Sequence, residues 1–399
     1  MKGLRRLEDV SLKEKTVLVR VDINVPMQGG KVTDNTRIVR LKPTIDYLLK
    51  QKCKIVLLSH FDRPKGKFVP SMSLAPLVDA LSEAFFGKDV KFGVDCVGSA
   101  AKEAVSNLSN GDILLLENLR FHPQEESGDD EFARELASLG DVFVNEAFSC
   151  SHRAHASMVG IPKFLLTVAG RLMQEELEVL DSVFSNAEKP VAAIIGGSKV
   201  STKLELLENL SRKMDKILIG GAMANVFINA LGYDVGKSLC EAGMKKPALS
   251  ILDNTRKNNC KIILPVDLMV AKKFAPLAVN KVARIESIPK EWTAVDIGPE
   301  SVRLFVDELA ECKTIIWNGP VGAFETSPFD VSTFSIARSV ASFTESGNSR
   351  AVAGGGDTVA ALTHCGVIGS LSYVSTAGGA FLEWLEGKVL PGVAALVDD

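Results

Sequence analysis

The chain is poor in the residues from which many chemistries are built. Its 399 residues include only five histidines, three tryptophans and three tyrosines. His152 and His155 stand three apart, but they lack partners of the kind a metal site needs. No Ser/His/Asp set presents itself either. Seven cysteines are scattered without a CxxC pair, which argues against a disulfide framework or a structural zinc site and fits a reducing compartment. No stretch approaches the ~18 uninterrupted apolar residues of a transmembrane helix. The opening MKGLRRLEDVSLKEK has basic residues but no apolar core, so it does not read as a secretory signal. A cytoplasmic protein with no membrane partner is expected. No GxGxxG follows a strand, which disfavours a nicotinamide dehydrogenase. GYDVGKS (232–238) ends like a P-loop, yet Leu231 occupies the position where that motif needs its first glycine.

A charge excess is also missing. The formal net charge is −3, so nothing global suggests nucleic acid. The total hides an asymmetry, however. Residues 1–70 hold 16 Lys and Arg against 7 Asp and Glu, whereas residues 71–399 hold 30 against 42. A local field for a small anionic substrate explains that placement.

What is present is the pattern of a globular enzyme, 46% hydrophobic and 24% charged. Ten short apolar runs recur: 16–24, 54–60, 112–118, 142–148, 191–197, 216–221, 261–267, 313–320, 350–357 and 373–379. Their length and β-branched content suit strands buried on both faces. Between them lie helical patterns such as RIVRLKPTIDYLLKQ (37–51) and EFARELASL (131–139). This alternation predicts an α/β fold with helices on both faces of parallel sheets. Ten strands exceed one core, so we expect two Rossmann-like lobes, 1–170 and 190–381. RLMQEELEVLDSVFSNAEK, within 171–189, reads either as an ordinary surface helix or as the helix joining them.

Ligands in such sheets sit beyond the carboxyl ends of the strands. In the first half those ends carry Asp22 and Asn24; Ser59, His60 and Arg63; Asn118 and Arg120; and a loop with Arg153 and His155. Arg37 opens the helix after the first strand. Four arginines and two histidines on one rim suit an anion of more than one charge, because guanidinium donors match carboxylate and phosphate oxygens in pairs. In the second half the ends are glycine-rich: GGSK (196–199), GGA (220–222), NGP (318–320), GGGD (354–357) and AGG (377–379). Glycine allows tight turns and lets backbone N–H groups approach phosphate. Lys199 and Lys203 are expected on one face in the first turns of a helix, where the dipole disfavours cations, so either a polyphosphate shares the space or both lysines point to water. Asp357 is placed to reach a magnesium ion, with Thr358 beside it, or to cap its helix. An anion pocket and a nucleotide-phosphate cradle in one chain indicate phosphoryl transfer. Another acyl-phosphate-forming carboxylate kinase and a non-catalytic two-lobed sensor are the competing readings.

RVDINVP, DNTRI, SHFDRP, ENLRF, SHRAHAS, GGSKVSTK, VDIGPES, WNGPVGAFE, GGGDT and STAGGA, in this order from residue 20 to 380, resemble the signature segments of the phosphoglycerate kinase family. The resemblance implies reversible transfer between 1,3-bisphosphoglycerate and MgADP, giving 3-phosphoglycerate and MgATP in glycolysis. It assigns Asp22, Ile23, Asn24, Arg37, His60, Phe61, Asp62, Arg63, Arg120 and Arg153 to the phosphoglycerate. Arg37 is implied to reach the reacting carboxyl. Lys203, Gly355 and Gly356 would join it in catalysis, following the phosphoryl group in flight. Gly197, Lys199, Lys203, Gly221, Asn318, Pro320, Glu325, Gly354, Gly355, Gly356, Asp357 and Thr358 would form the nucleotide site, with Asp357 on magnesium. A monomer is implied, with residues 382–399 returning to the first lobe. One departure is Ala377, where the family usually has glycine. Two ligands on separate lobes imply hinge closure, using the 171–189 helix and the Ala377 turn. Small-angle scattering is expected to show compaction only with 3-phosphoglycerate and nucleotide together; no compaction would overturn this.

Overall fold

The computed structural model describes residues 3–184 and 186–397. The chain divides into two compact units, Met1–Glu178 with Val389–Asp399, and Val179–Lys388. It passes from one to the other within the helix Arg171–Phe184.

The first unit is built on a six-stranded sheet in the order Val90–Gly93, Ile113–Leu116, Lys54–Leu58, Thr16–Arg20, Val142–Asn145, Thr167–Ala169, every neighbouring pair parallel. The Leu, Ile and Val runs of the central strands are buried on both faces, as strands sandwiched between helices must be. One helical pattern breaks in two. Thr36–Val39 and Lys42–Lys50 are separate helices, and Pro43 stands in the first turn of the second, where its missing N–H is harmless. Val90–Gly93 and Thr167–Ala169, which the sequence reading does not include, complete the two edges. Val389–Val397 also lies in this unit, where Gly392 N–H donates to Ser151 O (2.9 Å) and Val397 bridges Leu4. Residues 398 and 399 of the expected return lie outside the described residues.

The second unit has its own six-stranded sheet, again parallel throughout: Lys261–Ile263, Lys216–Ile219, Val191–Ile195, Thr314–Asn318, Arg350–Gly354, Tyr373–Ser375. The strand order reverses between Val191–Ile195 and Thr314–Asn318, so the crevice opens at their carboxyl ends. A three-stranded antiparallel sheet, Asp267–Ala271 between Asn280–Arg284 and Thr293–Ile297, is inserted before the helix Pro299–Ala310. Residues 382–388 remain with this unit. Asn209 Nδ2 donates to Leu385 O (2.6 Å), and Lys388 pairs with Glu205 (2.8 Å) and Glu386 (2.9 Å). Ala377 is buried and is not among the residues at positive φ, so alanine brings no backbone strain there.

Candidate active site

At the carboxyl end of the first sheet, Arg20 closes its strand fully buried. It donates from Nε to Ser157 Oγ (2.9 Å), from Nη1 to Val21 O, and from Nη2 to His60 Nδ1 (3.1 Å). A guanidinium cannot accept, so His60 Nδ1 is the acceptor and Nε2 keeps the proton. Burial, with Arg20, Arg120 and Arg153 nearby, holds the His60 pKa well below its ordinary value against the pull of Asp22. The ring is a neutral donor. Burial and the same arginines press His155 down to about 4.

Arg37 Nη1 donates to Asp22 Oδ2 (2.7 Å) and Asn24 O (3.2 Å), while Ser149 Oγ donates to the same Asp22 oxygen (2.5 Å). Burial works to raise the Asp22 pKa, but the Arg37 charge and the hydrogen bonds from Ser149 and Asn24 N–H hold it below the usual carboxylate range. Asn118 fastens the neighbouring loop by accepting from Phe61 N–H (3.2 Å) and donating to Phe61 O (2.8 Å) and Met72 O (2.9 Å). Asp62, at φ 52°, offers its carbonyl to Arg120 Nη1 (2.7 Å), and its N–H donates to Asn24 Oδ1 (3.1 Å). Arg153 turns onto His152 (3.1 Å). Burial and the Arg153 charge lower the Arg120 pKa, the mark of like charges held together before any anion arrives.

Asp22, Asn24, Arg37, His60, Phe61, Asp62, Arg120 and Arg153 thus belong to one contiguous set, and Ile23 is buried behind it with its N–H on Ser59 Oγ (3.3 Å). Arg63 is exposed and outside this hydrogen-bond network among the described residues. Arg20 is not among the strand-end residues of the sequence reading, although the basic excess of residues 1–70 places it around their rim. Its signal was a cation at the end of an otherwise apolar strand.

In the second unit, Lys203 Nζ donates to Gly196 O (2.7 Å), Asn318 O (3.2 Å) and Asn318 Oδ1 (2.8 Å). Asn318 Nδ2 in turn donates to Gly354 O (2.9 Å). Burial lowers the Lys203 pKa to about 8, although Asp357 and Glu386 act the other way. The two lysines do not share a helix face. Ser201–Lys203 is a 3-10 turn and the α-helix starts at Leu204, because Glu241 accepts from Ser201 N–H (2.9 Å) and holds the turn. Lys199 is left exposed in the loop, while Lys203 turns inward. Thr358 is buried, its hydroxyl accepting from Gly319 N–H (2.7 Å).

Glycine matters here through close approach. A Cβ on Gly196 would lie 1.9 Å from Pro320 O, and one on Gly319, at φ 102°, 2.3 Å from Gly196 O. The two central strand ends therefore meet at backbone distance. Gly356 differs: a Cβ there would meet nothing within 4 Å, at the first residue of the helix Gly356–Cys365. That open side exposes amides at a helix N-terminus, which suits an anion. Gly356→Ala is expected to leave the melting temperature unchanged or slightly raised, while kcat/KM for ATP falls about tenfold or more. Thermal melts and steady-state kinetics check both halves.

Beside this crevice lies a cavity of about 440 Å³ that Gly197, Gly221, Pro320, Glu325 and Asp357 help line. Its apolar wall comes from Leu239, Leu268, Phe274, Val295 and Ile297. The sequence reading missed these residues, because most of that wall stands on or beside the inserted antiparallel sheet. The size and the mixture of apolar wall with few polar groups suit a nucleoside. Asp357 is not the helix cap; Gly355, at φ 99°, is. Its exposed carboxylate makes no hydrogen bond or ion pair among the described residues. One free carboxylate beside a phosphate cradle is the usual donor set for magnesium on a nucleotide, so the residues fit that ion.

The profile of the phosphoglycerate kinase family matches residues 7–388. The chain belongs to the phosphoglycerate kinase family. It is 54% identical over 394 residues to the phosphoglycerate kinase of Ruegeria sp. (strain TM1040), covering 99% of each chain. With that of Caulobacter vibrioides (strain NA1000 / CB15N) the identity is 53% over 392 residues, covering 98% of this chain and 99% of the other. The structure of phosphoglycerate kinase from Coxiella burnetii superposes with a TM-score of 0.90 at 38% identity, covering 98% of both chains. That of the Pyrococcus horikoshii OT3 enzyme gives 0.82 at 30%, with the same coverage. The two six-stranded parallel sheets are therefore those of a phosphoglycerate kinase fold.

Proposed function

We propose that this chain catalyses reversible phosphoryl transfer between 1,3-bisphosphoglycerate and ADP, giving 3-phosphoglycerate and ATP in glycolysis. The observation that carries the reading is the division of labour between the two sheets. One ends its strands in clustered guanidinium groups, and the other in backbone amides around a half-buried lysine. In the ATP-forming direction, a terminal oxygen of the ADP β-phosphate attacks the acyl phosphate. The new P–O bond forms as the bond to the carboxyl oxygen breaks, and the carboxylate leaves. In reverse, the nucleophile is a carboxylate already ionised at pH 7 (reference pKa about 4), so no general base is needed.

Asp22, Ile23, Asn24, His60, Phe61, Asp62, Arg63, Arg120 and Arg153 would bind the phosphoglycerate, the neutral His60 donating from Nε2. Arg37 would reach the carboxyl and the moving phosphoryl group. Lys203, with the amides of Gly355 and Gly356, would follow that group. Gly197, Lys199, Gly221, Asn318, Pro320, Glu325, Gly354 and Thr358 would shape the nucleotide site, Glu325 taking the ribose hydroxyls. Magnesium, held by Asp357, would neutralise charge between phosphates. Catalysis is then positioning plus charge stabilisation. We also propose a cytoplasmic monomer; seven free cysteines fit a reducing compartment. No helix among the described residues is long and apolar enough to cross a membrane.

The test is a coupled assay with ATP, magnesium and 3-phosphoglycerate, with acetate and aspartate as control acids. ADP is expected only with 3-phosphoglycerate. Comparable turnover with acetate or aspartate would favour another carboxylate kinase, and binding without turnover a sensor.

A further inference from the structure

The mechanism above leaves one set of chemically mixed side chains without a task. Asp95 and Cys96 stand on the loop after the strand Val90–Gly93, and His122 precedes the short helix Pro123–Ser127. One carboxylate oxygen, the Cys96 thiol and one ring nitrogen lie within 4.8 Å of one another. His122 Nε2 and Asp95 Oδ1 are 2.8 Å apart, joined by a single proton. We propose that these three side chains bind a borderline-soft divalent cation of the zinc class, through Asp95 Oδ1, Cys96 Sγ and His122 Nε2.

The ligand types decide the class. A thiolate, an imidazole and a carboxylate together suit zinc or its neighbours, whereas magnesium and calcium take oxygen alone. The geometry needs little change. Ligand atoms around a tetrahedral zinc stand about 3.3–3.6 Å apart. The Asp95–His122 pair would open by about half an ångström, and the sulfur, within 4.8 Å of both ligand atoms, would move in by at most about 1.3 Å. Access is one-sided. The Asp95 and His122 side chains are 44% and 28% exposed, while Cys96 is buried behind them. An ion can therefore enter from solvent and keep a water in its fourth position, as open three-ligand sites do.

The surroundings favour a cation. Glu117 and Glu125 are buried nearby, and no Lys or Arg ion pair is present on either among the described residues. Glu117 accepts from Ser73 Oγ (2.6 Å) and Leu74 N–H (2.9 Å), and Glu125 from Ser157 N–H (2.9 Å) and Oγ (2.6 Å). Burial, Asp95, Glu125 and Glu117 all oppose ionisation of the Cys96 thiol, so without an ion it stays protonated. Binding would release that thiol proton to the buffer. It would also place the imidazole proton on Nδ1, freeing the Nε2 lone pair. Because His122 closes the same turn that carries Arg120, an ion here would brace the backbone under a substrate-facing guanidinium.

Cobalt(II) is the probe, titrated into chelator-stripped full-length protein and followed by absorption. The expected result is one equivalent bound, with a sulfur-to-cobalt charge-transfer band that zinc displaces. Cys96→Ser should abolish the band. Asp95→Asn and His122→Gln, at partly exposed positions that leave the core intact, should each weaken binding at least tenfold. Cys150→Ser should leave the band unchanged. No charge-transfer band, one that survives Cys96→Ser, or one that Cys150→Ser removes would overturn the proposal. So would unchanged affinity in both the Asp95 and His122 variants.

Discussion

Replacing Arg37 with alanine is expected to lower kcat by about 10³-fold or more with the fold intact. Arg37 sits on the four-residue helix Thr36–Val39, its Nη1 held by Asp22 (2.7 Å) and Asn24 O (3.2 Å). The side chain is one-third exposed, so the ion pair contributes only about 1 kcal/mol or less to stability. The transition state gains much more, because charge spreads over the phosphoryl oxygens as they leave one oxygen for the other. If Arg37 acts mainly there, kcat and kcat/KM fall together while KM for 3-phosphoglycerate changes little. Arg37→Lys should recover only a small part of the loss, since a point charge cannot donate to two oxygens in one plane. Steady-state kinetics with a thermal melt of each variant decides the matter, and a near-normal kcat in Arg37→Ala would remove the assigned role.

The second large effect is expected at Lys203. Lys203→Met keeps much of the side-chain volume and removes the charge, and kcat should fall about 10²–10³-fold. The pH profile supplies a separate readout. Burial places the Lys203 pKa at about 8. Below that value the amine is charged, and above it the charge is lost. The free protein should therefore lose kcat/KM for nucleotide by about tenfold per pH unit above pH 8. Bound polyphosphate favours the charged amine, so the corresponding limb in kcat should move to higher pH. In Lys203→Met the alkaline limb should disappear. An unchanged alkaline limb in that variant would assign it to another group.

The sequence made some of this legible and hid the rest for physical reasons. All ten apolar runs contain strands, because a strand buried on both faces has to be nearly continuous Leu, Ile, Val and Ala. Val90–Gly93 escaped because VKFG alternates apolar and charged residues at a sheet edge, with no continuous run to mark it. The antiparallel insert escaped for a different reason. Asn280–Arg284 is mostly exposed and polar, so its alternation looks like a loop. That insert supplies much of the apolar wall of the nucleoside cavity. The anion rim was readable since strand ends in a parallel sheet converge whatever joins them. The partnership of Arg20 with His60 was not, for it depends on a side chain folding back from the buried end of its strand. Lys199 and Lys203 show the converse error: spacing of four implies a shared face only inside a helix, and the helix begins after both.

The acceptors that surround Lys203 have one more consequence. They are two main-chain carbonyls and a side-chain amide, all uncharged. Arg20 is treated alike by a hydroxyl, a carbonyl and a neutral ring. Each cation is held by dipoles that orient it without cancelling it. A carboxylate partner would have made the ligand-free fold more comfortable and the site electrically silent. The folded chain instead carries two cations with no carboxylate in direct contact among the described residues, and an arriving phosphate finds the donors already oriented.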